Sequence, residues 1–113
     1  MSAPALKARL RADLKAAMQA KASDEVRLLR TLIAALDNAE AVAEPARAFG
    51  SRAFGDPSGE VARREIDAPA LDALLLAEID ARLAAAQDYG RHRQDAEAAR
   101  LRHEAELIER YRA

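Results

Sequence analysis

Lys7, Arg11 and Lys15 recur every four residues, each one position after a leucine (Leu6, Leu10, Leu14). One helical position is about 100° of rotation, so these cations line one flank of an apolar stripe. Lys21, Arg27 and Arg30 carry the positive charge round the next turn and into the following segment. A row of this kind suits phosphates, which Lys and Arg bind by neutralising their charge. It equally suits a solvated flank whose long aliphatic stems cover the edge of a core. Asp13 and Asp37 lie nearby and no aromatic residue is interleaved, which favours the plainer role. A second feature is the pair Phe49 and Phe54, set in a glycine-rich stretch. Such side chains either fold back onto the helices or meet a partner. In a chain this poor in bulky residues, folding back is favoured.

Other chemistries are thinly supplied. His92 and His103 stand eleven residues apart, whereas helical metal pairs sit three or four apart. Glu104, Glu106 and Glu109 alternate with Arg100, Arg102, Arg110 and Arg112, the pattern of a paired helix face. The segment Gly55-Asp56-Pro57-Ser58-Gly59 shares two glycines with a phosphate loop, but it has no Lys and reads as a turn. There is no Cys, hence no thiolate ligand, no Cys nucleophile and no disulfide. The residues therefore predict no catalytic constellation, no metal and no cofactor.

These side chains must be positioned by helices. Of the hydrophobic residues, 30 are Ala and 14 are Leu, with only two Phe and two Tyr. Ala, Leu, Arg and Glu are strong helix formers, while sheets want β-branched and aromatic residues. The 113 residues suit one all-α domain with a thin core. The charge balance, 18 basic against 19 acidic, gives no global attraction to nucleic acid or anionic lipid. No stretch approaches a membrane span. The N-terminus carries charges throughout and has no apolar signal-peptide core, so a cytoplasmic location is expected.

Four helices are predicted. Ser2 and Pro4 start the first, about 4–21, with the stripe Leu6, Leu10, Leu14 and Met18, and Ala17 beside it. Ser23 caps the second, about 23–42, on Val26, Leu29, Ile33 and Leu36. A connection over 43–66 holds three glycines and two prolines. Asp67 caps the third, about 68–89, on Leu71, Leu75, Ile79 and Leu83, and Gly90 interrupts it. Ala98, Leu101, Ala105, Ile108 and Tyr111 mark the fourth, about 93–112. Two antiparallel helical hairpins are the expected arrangement.

Residues 6–39, with Asp13-Leu14-Lys15, Ala17-Met18, Ala20-Lys21, Arg27-Leu28, Leu32 and Asn38-Ala39, resemble the opening of the GatB/YqeY family. Residues 71–83 are similar to that family's third helix. Glu104-Ala105-Glu106-Leu107-Ile108-Glu109-Arg110-Tyr111 is similar to its acidic helix, which usually ends in Tyr-Leu-Pro. The likeness spans about residues 4–111 apart from the connection. It departs at Tyr111-Arg112-Ala113, and the small C-terminal helical module with which the family continues is lacking. The family's glycine between the third and fourth helices is replaced near Arg93, with Gly90 three residues earlier.

The resemblance implies an all-helical fold. It also implies kinship with the tail of the B subunit of glutamine-dependent tRNA amidotransferase, which helps to hold tRNA. The family's carbon–nitrogen ligase activity with glutamine as amido-N-donor belongs to the large enzyme, because this chain has neither an amidase nucleophile nor an ATP motif. The expectation is a non-catalytic module that binds tRNA or assists a tRNA-dependent amidotransferase, with Lys7, Arg11, Lys15, Lys21, Arg27 and Arg30 as the contact residues. The alternatives are a protein–protein adaptor or homo-oligomer using Phe49 and Phe54, and an accessory to the amide-transfer reaction.

Overall fold

The computed structural model describes residues 1–51 and 66–112, with side chains over 1–41 and 66–112. The described residues form four helices and no strand: α1 (Ala3–Gln19), α2 (Ser23–Ser51), α3 (Ala68–Arg91) and α4 (Asp95–Glu109). They pair in sequence order, α1 with α2 and α3 with α4, in two compact units. Each unit is an antiparallel hairpin: Lys7 near the start of α1 reaches Asp37 and Glu40 far along α2, and Asp72 near the start of α3 reaches Arg112 beyond α4.

In the first hairpin the buried hydrophobic residues are Ala3, Leu6, Leu10 and Ala17 from α1 and Leu28, Leu29, Leu32 and Leu36 from α2. The stripe read from the sequence leaves this face as it proceeds. Leu14 is half-buried, and Met18 is 50% exposed. A strict spacing of four overshoots the 3.6-residue turn by about 40° each time. From Leu6 to Met18 the stripe has therefore rotated by roughly 120°. The same drift takes Leu83 out of the core of α3, where Leu71, Leu75 and Ile79 are buried but Leu83 is 46% exposed, and Ala86 restores the face. The helix α2 is described as far as Ser51, and residues 52–65 of the connection expected over 43–66 lie outside the described residues. The side chain of Phe49, the whole of Phe54 and the Gly55–Gly59 turn lie outside the described residues.

Both hairpins turn through the same device. Ala22 N–H donates to Ala17 C=O (2.9 Å) and Lys21 N–H to Met18 C=O (3.2 Å). At the other turn, Gln94 N–H donates to Tyr89 C=O (2.9 Å) and Arg93 N–H to Gly90 C=O (3.1 Å). These are Schellman caps, which need a left-handed residue just past the helix. Lys21 (φ 56°) and Arg93 (φ 58°) take that conformation, where glycine is the usual occupant. Ala22 C=O accepts the first bond of α2, from Val26 N–H at 3.0 Å, so the cap falls one residue before Ser23. Asp67 caps α3 as its sequence position predicts, accepting from Ala70 N–H at 2.9 Å.

Gly90 does not interrupt α3, which runs on to Arg91; the break comes at Arg93. The glycine thus sits in the helix, where it weakens, and is missing from the turn, where it would help. A Cβ at position 90 meets only the Arg102 guanidinium, at 3.9 Å. The double variant Gly90→Ala, Arg93→Gly is expected to gain about 1–2 kcal/mol of unfolding free energy. Urea denaturation checks this, and an unchanged or lower midpoint refutes it.

The second hairpin is tied by ion pairs along its length. Arg82 pairs with Glu78 (2.8 Å) on its own helix and with Glu104 (3.3 Å) on α4. Arg100 pairs with Glu97 and Glu104, and Arg112 with Glu109 (3.0 Å). Arg112 also forks onto Asp72, Nε to Oδ1 at 2.9 Å and Nη2 to Oδ2 at 3.2 Å. The hydrogen bonds from Arg112 hold the Asp72 carboxyl below its ordinary value of 3.8. A carboxyl depressed in the folded state stabilises it above the unfolded pKa, and that contribution is lost as pH falls through the folded value. The Asp72 carboxyl carbon is therefore expected to titrate below the ordinary carboxylate range by NMR, and to return to it in Arg112→Ala. An ordinary Asp72 midpoint in the parent protein contradicts the tether.

Candidate nucleic-acid interface

The structure does not bring all six cations of the sequence motif to one place. Lys7 is buried, and its ammonium lies 2.8 Å from both Asp37 Oδ1 and Glu40 Oε2. Hydrogen bonds to Asp37 and then Glu40 raise its pKa above 10.5. Its charge is spent within the hairpin and is withdrawn from any external phosphate. The reason lies in the same flank geometry: a cation one position past a core leucine sits at the core boundary, and there α2 presents Asp37 and Glu40. Arg11 and Lys15 are exposed along α1.

Lys21, Arg27 and Arg30 converge. With Met18, Ser23, Val26 and Thr31 they line an open groove of about 650 Å³ where α1 turns into α2. Its apolar part is Met18 and Val26 and its cationic part is the three basic side chains. The elements dictate this placement. Met18 is in the last turn of α1, Lys21 holds the left-handed cap, and Val26, Arg27, Arg30 and Thr31 recur at helical spacing on α2. Thr31 is anchored by donating its hydroxyl to the Arg27 carbonyl at 2.9 Å. Asp24 is 4.0 Å from the Arg27 guanidinium, a loose and exposed pair. Among the described residues, no carboxylate lies within ion-pair distance of Lys21 or Arg30.

Sequence reasoning assigned Met18 and Val26 to the core and Ser23 to a cap, so the apolar floor of the groove was missed. The signal that finds it is the 40° drift of the i+4 repeat, which marks Met18 as the leucine-stripe position furthest from the buried face. The turn of the second hairpin forms a smaller hollow of about 320 Å³, lined by Ala85, Asp88, Tyr89, His92 and Gln94. Its side chains carry no lysine or arginine, and His92 Nδ1 donates to the Asp88 carbonyl at 2.8 Å. Leu76 and Leu83 are exposed on α3. Among the described residues no group of three or more His, Asp or Glu is placed to hold a metal ion, and no helix is long and apolar enough to cross a membrane. Compared with known proteins, the chain matches no family model and no curated protein.

Proposed function

We propose that this chain is a non-catalytic helical module that binds RNA at the turn of its first hairpin. The observation that carries the proposal is the convergence of Lys21, Arg27 and Arg30 on one open groove. The left-handed cap places the Lys21 side chain at the groove. On the resemblance of its residues to the GatB/YqeY family, the RNA in this reading is tRNA and the setting is tRNA-dependent amidotransferase or aminoacylation chemistry performed by partner enzymes. Arg11 and Lys15, exposed on α1, extend the basic surface.

Binding of unmodified tRNA transcript, followed by gel shift over a salt series, tests this. Three phosphate contacts give a fall of log K with log salt of about two to three. No shift at low salt, or a shift that salt does not weaken, overturns the proposal. A second reading, a protein–protein adaptor or self-associating module, rests on exposed Leu76 and Leu83 on α3. Light scattering at high concentration separates the two: a strict monomer that shifts tRNA supports RNA binding alone.

A further inference from the structure

Resting on that reading, we infer that the groove takes an unpaired nucleotide, with the base against Met18 and Val26 and the flanking phosphates on Lys21, Arg27 and Arg30. The site is an open groove of about 650 Å³ that combines an apolar floor with three cations. Its apolar lining is unused by a phosphate backbone. Met18 is 50% exposed although it is a large apolar residue in a chain that has few. A planar base covers such a floor, and a thioether against an aromatic ring is a favourable contact. Bases inside a duplex do not reach a cleft of this kind, whereas bases of loops and ends can be splayed into one. The hydroxyls of Ser23 and Thr31 at the groove provide polar groups beside the floor. Asp24 and Glu25 open α2 on the same turn, and Asp24 competes with phosphate for Arg27, which leaves Lys21 and Arg30 as the principal phosphate partners.

The experiment is fluorescence anisotropy with three labelled probes of equal phosphate count at one salt concentration: a single-stranded oligoribonucleotide, the same strand with abasic residues, and a blunt RNA duplex. The single strand is expected to bind about fivefold to tenfold more tightly than the abasic strand and the duplex. Met18→Gln, at an exposed position that leaves the fold intact, is expected to remove that preference while keeping the salt slope. Equal binding of all three probes, with a normal salt slope, overturns the nucleotide pocket and leaves the RNA-binding module standing. Binding of none of them overturns both. Single-strand preference that persists in Met18→Gln and in Val26→Ser places the base elsewhere and also overturns the pocket.

Discussion

Replacing Lys7 by Met is expected to lower the unfolding free energy by about 2–4 kcal/mol, the largest loss anticipated for any single polar substitution in the first hairpin. The side chains of Lys7 and Glu40 are only 11% and 9% exposed, and their charged atoms are 2.8 Å apart. Removing the ammonium takes the Lys7 charge and hydrogen bond away from the buried Glu40 carboxylate, which weakens the compensation for its desolvation. Asp37, 46% exposed, is less affected because water reaches it. The double variant Lys7→Met, Glu40→Leu removes both charges and is expected to recover most of the loss, since an apolar pair of similar size is often as stable as a buried ion pair. Urea midpoints of the two variants decide the matter. A loss below about 1 kcal/mol in Lys7→Met shows a solvated pair. The pH dependence follows from the raised pKa. The stabilisation from Lys7 is complete below the unfolded lysine value and fades only as pH rises through the higher folded value. Alkaline conditions therefore weaken this contact by neutralising the ammonium. Because the ammonium is already engaged, Lys7→Met is not expected to alter RNA affinity in the folded protein.

Reversal of the three groove cations together, Lys21→Glu, Arg27→Glu and Arg30→Glu, is expected to reduce tRNA affinity by at least about 100-fold at moderate salt and to flatten the salt dependence. All three side chains are exposed, so helix content by circular dichroism is expected to stay near that of the parent. The effect exceeds simple deletion because the variant presents three new repulsive charges to the phosphates. Affinity within about threefold of the parent moves the RNA surface away from the hairpin turn. Reversal of Arg11 and Lys15, which lie on α1 outside the groove, gives the comparison: a smaller and purely salt-dependent loss is expected there.

The number of helices, their order and the Asp67 cap were legible in the sequence, because propensity and Pro, Ser and Asp punctuation act locally. The fates of Met18 and Leu83 were not. Apolar residues at an unbroken spacing of four look like one face on paper, yet they spiral about the helix by roughly 40° per repeat. The two outlying members therefore reach solvent in both hairpins, and in α1 that displacement creates the floor of the groove. Lys7 illustrates the opposite error. It shares its spacing with Arg11 and Lys15, but only Lys7 faces Asp37 and Glu40, which lie 30 or more residues away in sequence. Pairing across the hairpin decides which cation of a periodic row is captured, and periodicity alone carries no information about it. Gly90 and Arg93 show a third limit, since a glycine marks a turn only when the left-handed residue falls on it.

The buried positions of the second hairpin include Ala86, Ala98 and Ala105 alongside Leu71, Leu75, Ile79 and Ile108. A seam made with methyl groups brings backbones close and leaves little to lose by truncation, but it has no room for added carbon. Sequence drift at these sites is therefore filtered in one direction. Glycine or serine at Ala98 is expected as a mild lesion, whereas valine or leucine at this buried position is expected to overpack it.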